Sequence, residues 1–310
     1  MAILKNMTFD EIAFSFPLVV FVVGEKWLRK NDWCDEEYIS TRLEHYKRLE
    51  NDLKSLEAHV RLPKLKSTYN ALLRDKNSFW NILYEIHGIA LVSKVASRLE
   101  LKIPLGGVGN KDFDARVNIS GTSVNIECTT RRDEFPFYFS PMIVGPNKIP
   151  VYSGTRATVD PHDTGVADYA QETNHIAIPE ATVIRQALLD KLSQLPAPGI
   201  NLILLGQRAG SRGDLETALF GPVSVDFWCA AETREVESAV VQLPHGAYDT
   251  GANGNPFRQL SGVLWFGLFS VSGPEYKLYP NPNATSPLSQ DVVAKLESAM
   301  PDLRPFPSAL

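Results

Sequence analysis

Near the middle of the chain two short segments alternate apolar and polar residues without a break. Phe113, Ala115, Val117 and Ile119 alternate with Asp112, Asp114 and Arg116; past Ser120-Gly121-Thr122, Val124, Ile126 and Cys128 alternate with Asn125, Glu127 and Thr129. Successive side chains of a strand point to opposite faces, so Lys111 to Thr130 reads as a hairpin. One of its faces is apolar; the other carries Asp112, Asp114, Glu127 and Thr129.

Elsewhere the period changes. Asp35 to Val60 places Tyr38, Leu43, Tyr46, Leu49, Leu53 and Leu56 mostly at helical steps, which predicts an amphipathic helix ended by Arg61-Leu62-Pro63. Thr8 with Glu11 has capping-box spacing at an earlier helix start. Ser67 to Leu99 reads as helix in two pieces. The second piece carries Glu85 between Ile82 and Ile89, and a carboxylate in that apolar surround requires a partner. His87 in the same helix is expected to be a surface or hydrogen-bond-satisfied histidine. Leu101 to Asn110 predicts a short strand and a turn. Arg131 to Pro179 is proline-rich and aperiodic, a long loop of the kind that often carries function. Glu180 to Leu195 is an amphipathic helix, and Ile200 to Leu205 an apolar run expected of a strand buried on both faces. A short helix at Asp214 to Phe220, strands at Val223 to Ala230 and Ser261 to Val271, and a helix at Ser289 to Met300 complete the expected elements.

With 310 residues, 44% of them hydrophobic and 22% charged, the chain can bury a sizeable core. A net charge of -5 argues against coating nucleic acid by bulk electrostatics but leaves room for a local basic groove. Cys34, Cys128 and Cys229 are few and widely spaced, which suits a reducing, cytoplasmic compartment. The apolar run Phe14 to Val23 is too short to span a bilayer, and acidic Asp10 and Glu11 precede it. It is expected to be a buried segment of a protein that does not enter membranes.

The carboxylate face of the hairpin has a bland reading, a solvated sheet face. It also has a chemical one: like charges held close together call for a cation, and hard oxygen donors suit Mg2+ or Mn2+. Asp160, His162, Asp163 and His175 in the long loop offer an alternative centre with unspecific spacing.

Helix with Glu85, strand, hairpin with Asp112 and Glu127, helix, buried strand: this order resembles the PD-(D/E)xK nuclease superfamily. The resemblance covers roughly Phe79 to Leu205. It implies a restriction-endonuclease-like α/β fold, a mixed central sheet flanked by helices. This would occupy residues 75–310, with an insertion at about 131–179, behind a helical region at 1–74. It further implies a metal-dependent enzyme that cleaves DNA, possessing Mg2+ or Mn2+ and acting as a monomer or a homodimer, in bacterial defence or a mobile element. Asp112 and Glu127 would be metal ligands together with the Cys128 carbonyl; Asp114 would replace or assist Asp112, and Glu85 would complete the cluster. The family's lysine position falls on Thr129, which carries no charge, and Lys191 from the following helix stands where it could substitute. The alternative implied by that departure is a catalytically inactive module of the same fold that binds or scaffolds.

Overall fold

The computed structural model describes residues 9–29, 42–75, 78–105, 112–131, 140–142, 151–153, 180–207, 212–221, 224–228, 236–240, 246–248, 255–267 and 275–300. Three short helices open it: α1 (Phe9–Ser15), α2 (Pro17–Val23) and α3 (Glu25–Leu28). Then come α4 (Arg42–Glu57), α5 (Leu62–Arg74), α6 (Phe79–Ser93), β1 (Arg98–Pro104), β2 (Asp112–Ile119) and β3 (Thr122–Arg131). They are followed by β4 (Ser140–Met142), β5 (Val151–Ser153), α7 (Glu180–Leu192), β6 (Ile200–Gln207) and α8 (Arg212–Phe220). The last elements are β7 (Ser224–Trp228), β8 (Val236–Val240), β9 (Gly262–Gly267), β10 (Glu275–Pro280) and α9 (Gln290–Ala299).

The chain divides into two compact units. The first comprises Met1–Arg131, Lys191–Arg208 and Arg258–Leu310. Its sheet has six strands in the order β1-β2-β3-β6-β9-β10, parallel at β3-β6 and β6-β9 and antiparallel elsewhere. The first unit is thus a mixed α/β layer structure, with α6 against β2, β3 and β6, and α9 against β10. The N-terminal helices join this unit rather than forming one of their own, because α4 and α5 cover the outer side of α6. Helix α6 is therefore buried almost all round, Phe79 and Ile82 through Ser93 included. A helix enclosed by other elements is apolar nearly all round, and the buried polar residues of α6, among them Glu85 and His87, each need a partner.

Strand β6 is flanked by parallel neighbours and carries buried residues from Asn201 to Gln207, as the uninterrupted apolar run requires. Trp265 is buried and donates from Nε1 to Gln207 Oε1 at 2.7 Å. Gly206 lies against the Tyr84 side chain: a Cβ there would meet the ring carbon Cγ at 2.9 Å, the methylene Cβ at 3.0 Å and the ring carbon Cδ1 closer still. The β2–β3 turn uses Ser120 and Gly121, with φ of 50° and 80°, the left-handed pair that matches strand twist in a two-residue hairpin.

In the helical layer, α2 begins on a carboxylate from elsewhere in the chain. Glu50 of α4 accepts from the Leu18 and Val19 amides at 3.0 and 3.1 Å, satisfying donors at the positive end of the helix. Asn70 and Arg74 of α5 donate to the Val22 and Val23 carbonyls at its other end.

The second unit, Arg132–Asp190 and Ala209–Phe257, holds two antiparallel pairs, β4-β5 and β7-β8, most of α7, and α8. Within it the Ala247 and Tyr248 amides donate to the Ala218 and Leu219 carbonyls, and Tyr248 meets Phe220 edge-on.

Several expectations change. Pro63 does not end a helix but sits in the first turn of α5, where its missing N–H is harmless. Phe14 to Val23 is split between α1 and α2; Val19, Val22 and Val23 are buried, while Phe14 is 89% exposed. Part of the expected loop after the hairpin forms β4 and β5, and an unexpected strand, β10, lies between the strand expected at 261–271 and the helix expected at 289–300. Thr8, Asp160, His162, Asp163 and His175 lie outside the described residues. Among the described residues no helix is long and apolar enough to cross a membrane.

Candidate metal-binding and catalytic site

The β2–β3 ladder runs in register from Ile119↔Thr122 to Ala115↔Ile126. One residue further along each strand, side chains take over from the backbone. The Asp114 amide donates to Glu127 Oε2 at 3.2 Å, and the Cys128 amide donates to Asp114 Oδ2 at 2.7 Å. Two carboxylates thus occupy the place where the ladder stops, both buried, with Glu127 only 1% exposed.

On the other side of β2, the pairs Leu101↔Ala115 and Ile103↔Phe113 bracket Lys102, which faces Asp114 across the ladder. Lys102, Asp114 and Glu127 therefore form a row across three adjacent strands. The Lys102 ammonium donates to Asp114 Oδ1 at 2.5 Å and lies 2.8 Å from Glu85 Oε1, so the helix α6 carboxylate joins the row through it. At the far end Lys191, in the last turn of α7, donates to Glu127 Oε1 at 2.6 Å.

Three buried carboxylates thus meet two ammonium groups. Burial, and then the Asp114 charge, push Glu85 up to about 7 against the pull of Lys102 and of Tyr69 beside it. Glu127 is likewise pushed up to about 7, by burial and by Asp114, with Lys191 opposing. Burial works against the charge on each lysine, yet the carboxylates outweigh it. Glu85 and Asp114 hold Lys102 above the ordinary lysine range, and Glu127 does the same for Lys191. The lysines are partly open to solvent whereas Glu127 is not, so desolvation prevails at the acid and ion pairing at the base. Tyr69 and the Cys128 thiol are pushed far up, first by burial and then by the same carboxylates. Cys128 is thereby held as a thiol, unsuited to nucleophilic attack.

No family model, no curated protein and no solved structure matches this chain. Its site must be read from its own residues.

Of the sequence-derived candidates, Glu85, Asp114, Glu127, Cys128 and Lys191 come together. Asp112 does not: it is exposed at the head of β2, paired in the ladder with Pro104. The side chain two residues further along the same face takes the buried position instead. Lys102 was missed, although its signal was present: a charged residue between Leu101 and Ile103 in a strand set to pair with β2. His87 is a satisfied core histidine, bonded at Nδ1 to Asp52 Oδ2 and at Nε2 to Tyr276 Oη, both at 2.9 Å.

Among the described residues no three His, Cys, Asp or Glu side chains converge as ready-made ligands of one ion. The two lysines stand against the carboxylates where they would otherwise close on a cation. The donor chemistry nevertheless fits a hard divalent ion: three carboxylates gather at a ladder break, and burial, then the Asp114 charge, hold two glutamates near 7.

Proposed function

We propose that this protein is a metal-dependent nuclease with a restriction-endonuclease-like core, hydrolysing phosphodiester bonds of DNA with Mg2+ or Mn2+. The observation that carries this reading is the Lys191 ammonium 2.6 Å from Glu127 Oε1. It brings a cation from the following helix to the carboxylate pair, where Thr129 on the strand supplies none. Asp114 and Glu127 would hold the ion, together with the Cys128 carbonyl, and Glu85 would complete the cluster through water. When bound, the ion activates the attacking water and neutralises charge developing on the phosphate.

The chain's own residues do the rest. Asp114 accepts from the Cys128 amide and so fixes the backbone beside the pair. Glu127 orients Lys191, whose ammonium faces the attacking water and stabilises the anionic transition state. Burial keeps these charges effective by excluding competing water. Work in a reducing cytoplasm accords with Cys128 being a free buried thiol, and two copies acting together would cut both strands of a duplex.

A second reading, an inactive module that binds or scaffolds, is favoured by the two lysines that already pair the carboxylates. Incubation with supercoiled plasmid separates the two. The nuclease reading expects nicking with Mg2+ or Mn2+, none with EDTA, and none in Asp114→Asn or Glu127→Gln. A purified parent that leaves the plasmid intact under all these conditions rejects it for DNA. Asp112→Ala distinguishes the two hairpin aspartates: retained nicking assigns the role to Asp114, and lost nicking returns it to Asp112.

A further inference from the structure

Lys102 is in an unusual position for a lysine. It is held in the left-handed backbone region, φ 50°, in the middle of a strand, a conformation that non-glycine residues rarely adopt. Its side chain is 22% exposed and sits between two carboxylates from different elements, Glu85 on α6 and Asp114 on β2. Lys191, by contrast, pairs among the described residues with Glu127, at the other end of the row.

The charges show what a divalent ion would require. With all three carboxylates ionised, Glu85, Asp114 and Glu127 against Lys102 and Lys191 leave one negative charge in excess. A divalent cation added to that set would leave one positive charge in excess, whereas replacing one ammonium with it gives neutrality. Lys102 is the ammonium placed between ligands, so it is the one to leave.

We propose that Lys102 is a tethered counter-ion: it holds Glu85 and Asp114 together until a divalent cation binds, and is then expelled to solvent. The proposal rests on the metal-dependent reading of the site and adds a gate to it. Lys102 is a positioning residue here.

Two measurements test it without reference to cleavage. In the intact parent, acylation of individual lysines by an N-hydroxysuccinimide ester is followed by mass spectrometry with and without saturating Mg2+. Labelling of Lys102 should rise by about tenfold on loading. In Lys102→Met, Mn2+ titrated alone and followed by electron paramagnetic resonance should bind about tenfold more tightly than in the parent, since no internal cation competes. Should the variant fail to fold, the labelling of the parent decides. If Mn2+ binds the parent while Lys102 labelling is unchanged and Lys102→Met binds no more tightly, the gate is refuted and the metal site stands. Absence of Mn2+ binding in parent and variant alike removes the metal reading and the gate with it.

Discussion

Glu127→Gln is expected to stabilise the metal-free protein at pH 8 while abolishing cleavage. Glu127 is 1% exposed, and burial with the Asp114 charge holds it near 7 rather than near 4.5. At pH 8 it is ionised in both the folded and unfolded chain, and that difference corresponds to a native-state penalty of about 3 kcal/mol. A neutral amide of the same shape escapes the penalty. The amide has one acceptor oxygen where the carboxylate has two, so either Lys191 or the Asp114 amide loses its acceptor, at a cost of roughly 1 kcal/mol. The net expectation is a gain of about 2 kcal/mol, near 4 °C in Tm for a chain of this size. The sign depends on pH. The folded protein binds this proton more tightly than the unfolded chain does, so the parent's penalty is absent below about 4.5 and complete above about 7. The advantage of Glu127→Gln should accordingly grow across that interval and vanish at its acid end. Calorimetry of parent and variant in EDTA at pH 5 and pH 8 measures it. A variant destabilised by 2 kcal/mol or more at pH 8, an order-of-magnitude threshold of about a lost buried ion pair, would show that Glu127 serves the fold. The reasoning from crowded carboxylates to a functional site would then be wrong.

Three further outcomes are expected. Lys191→Met should lower the plasmid-nicking rate roughly a hundredfold, the usual loss when one charged transition-state contact is removed, with Mn2+ binding retained; an unchanged rate assigns the cation elsewhere. Gly206→Ala would drive a methyl into the Tyr84 ring, which is fixed between α6 and β6, and should cost about 2 kcal/mol in urea denaturation; a neutral result would mean that α6 can shift off the sheet. His87→Phe strips Asp52 and Tyr276 of buried partners at 2.9 Å each and should destabilise by about 3 kcal/mol, while leaving Mn2+ affinity unaltered, since the His87 ring bonds Asp52 and Tyr276 rather than the clustered carboxylates.

Much of the site could be read from residue order because a strand has a strict period. Once Asp112, Asp114 and Glu127 alternate with an apolar set, they must share a face, whatever covers it. Glu85 was legible for a complementary reason: a carboxylate amid apolar helix positions must find a cation, and it found Lys102. The choice between Asp112 and Asp114 was not legible. Both satisfy the period, and what separates them is where the hairpin ladder breaks and how deeply each is covered. Lys102 escaped notice because its partner lies on a neighbouring strand, and strand pairing is a property of register rather than of neighbours in sequence. The same holds for β10, whose partner β9 completes its burial.

Local periodicity by itself thus determined the hairpin, its polar face, the doubly buried β6 and the main helices, since each follows from how one segment hides its apolar side. Only the tertiary structure decided which aspartate is buried, that Lys102 joins Glu85 to Asp114, and that Lys191 reaches Glu127 from the end of α7. Those contacts link residues 12 to 64 positions apart or sit on separate elements, and Coulomb attraction at 2.5–2.8 Å is set by distance in space alone.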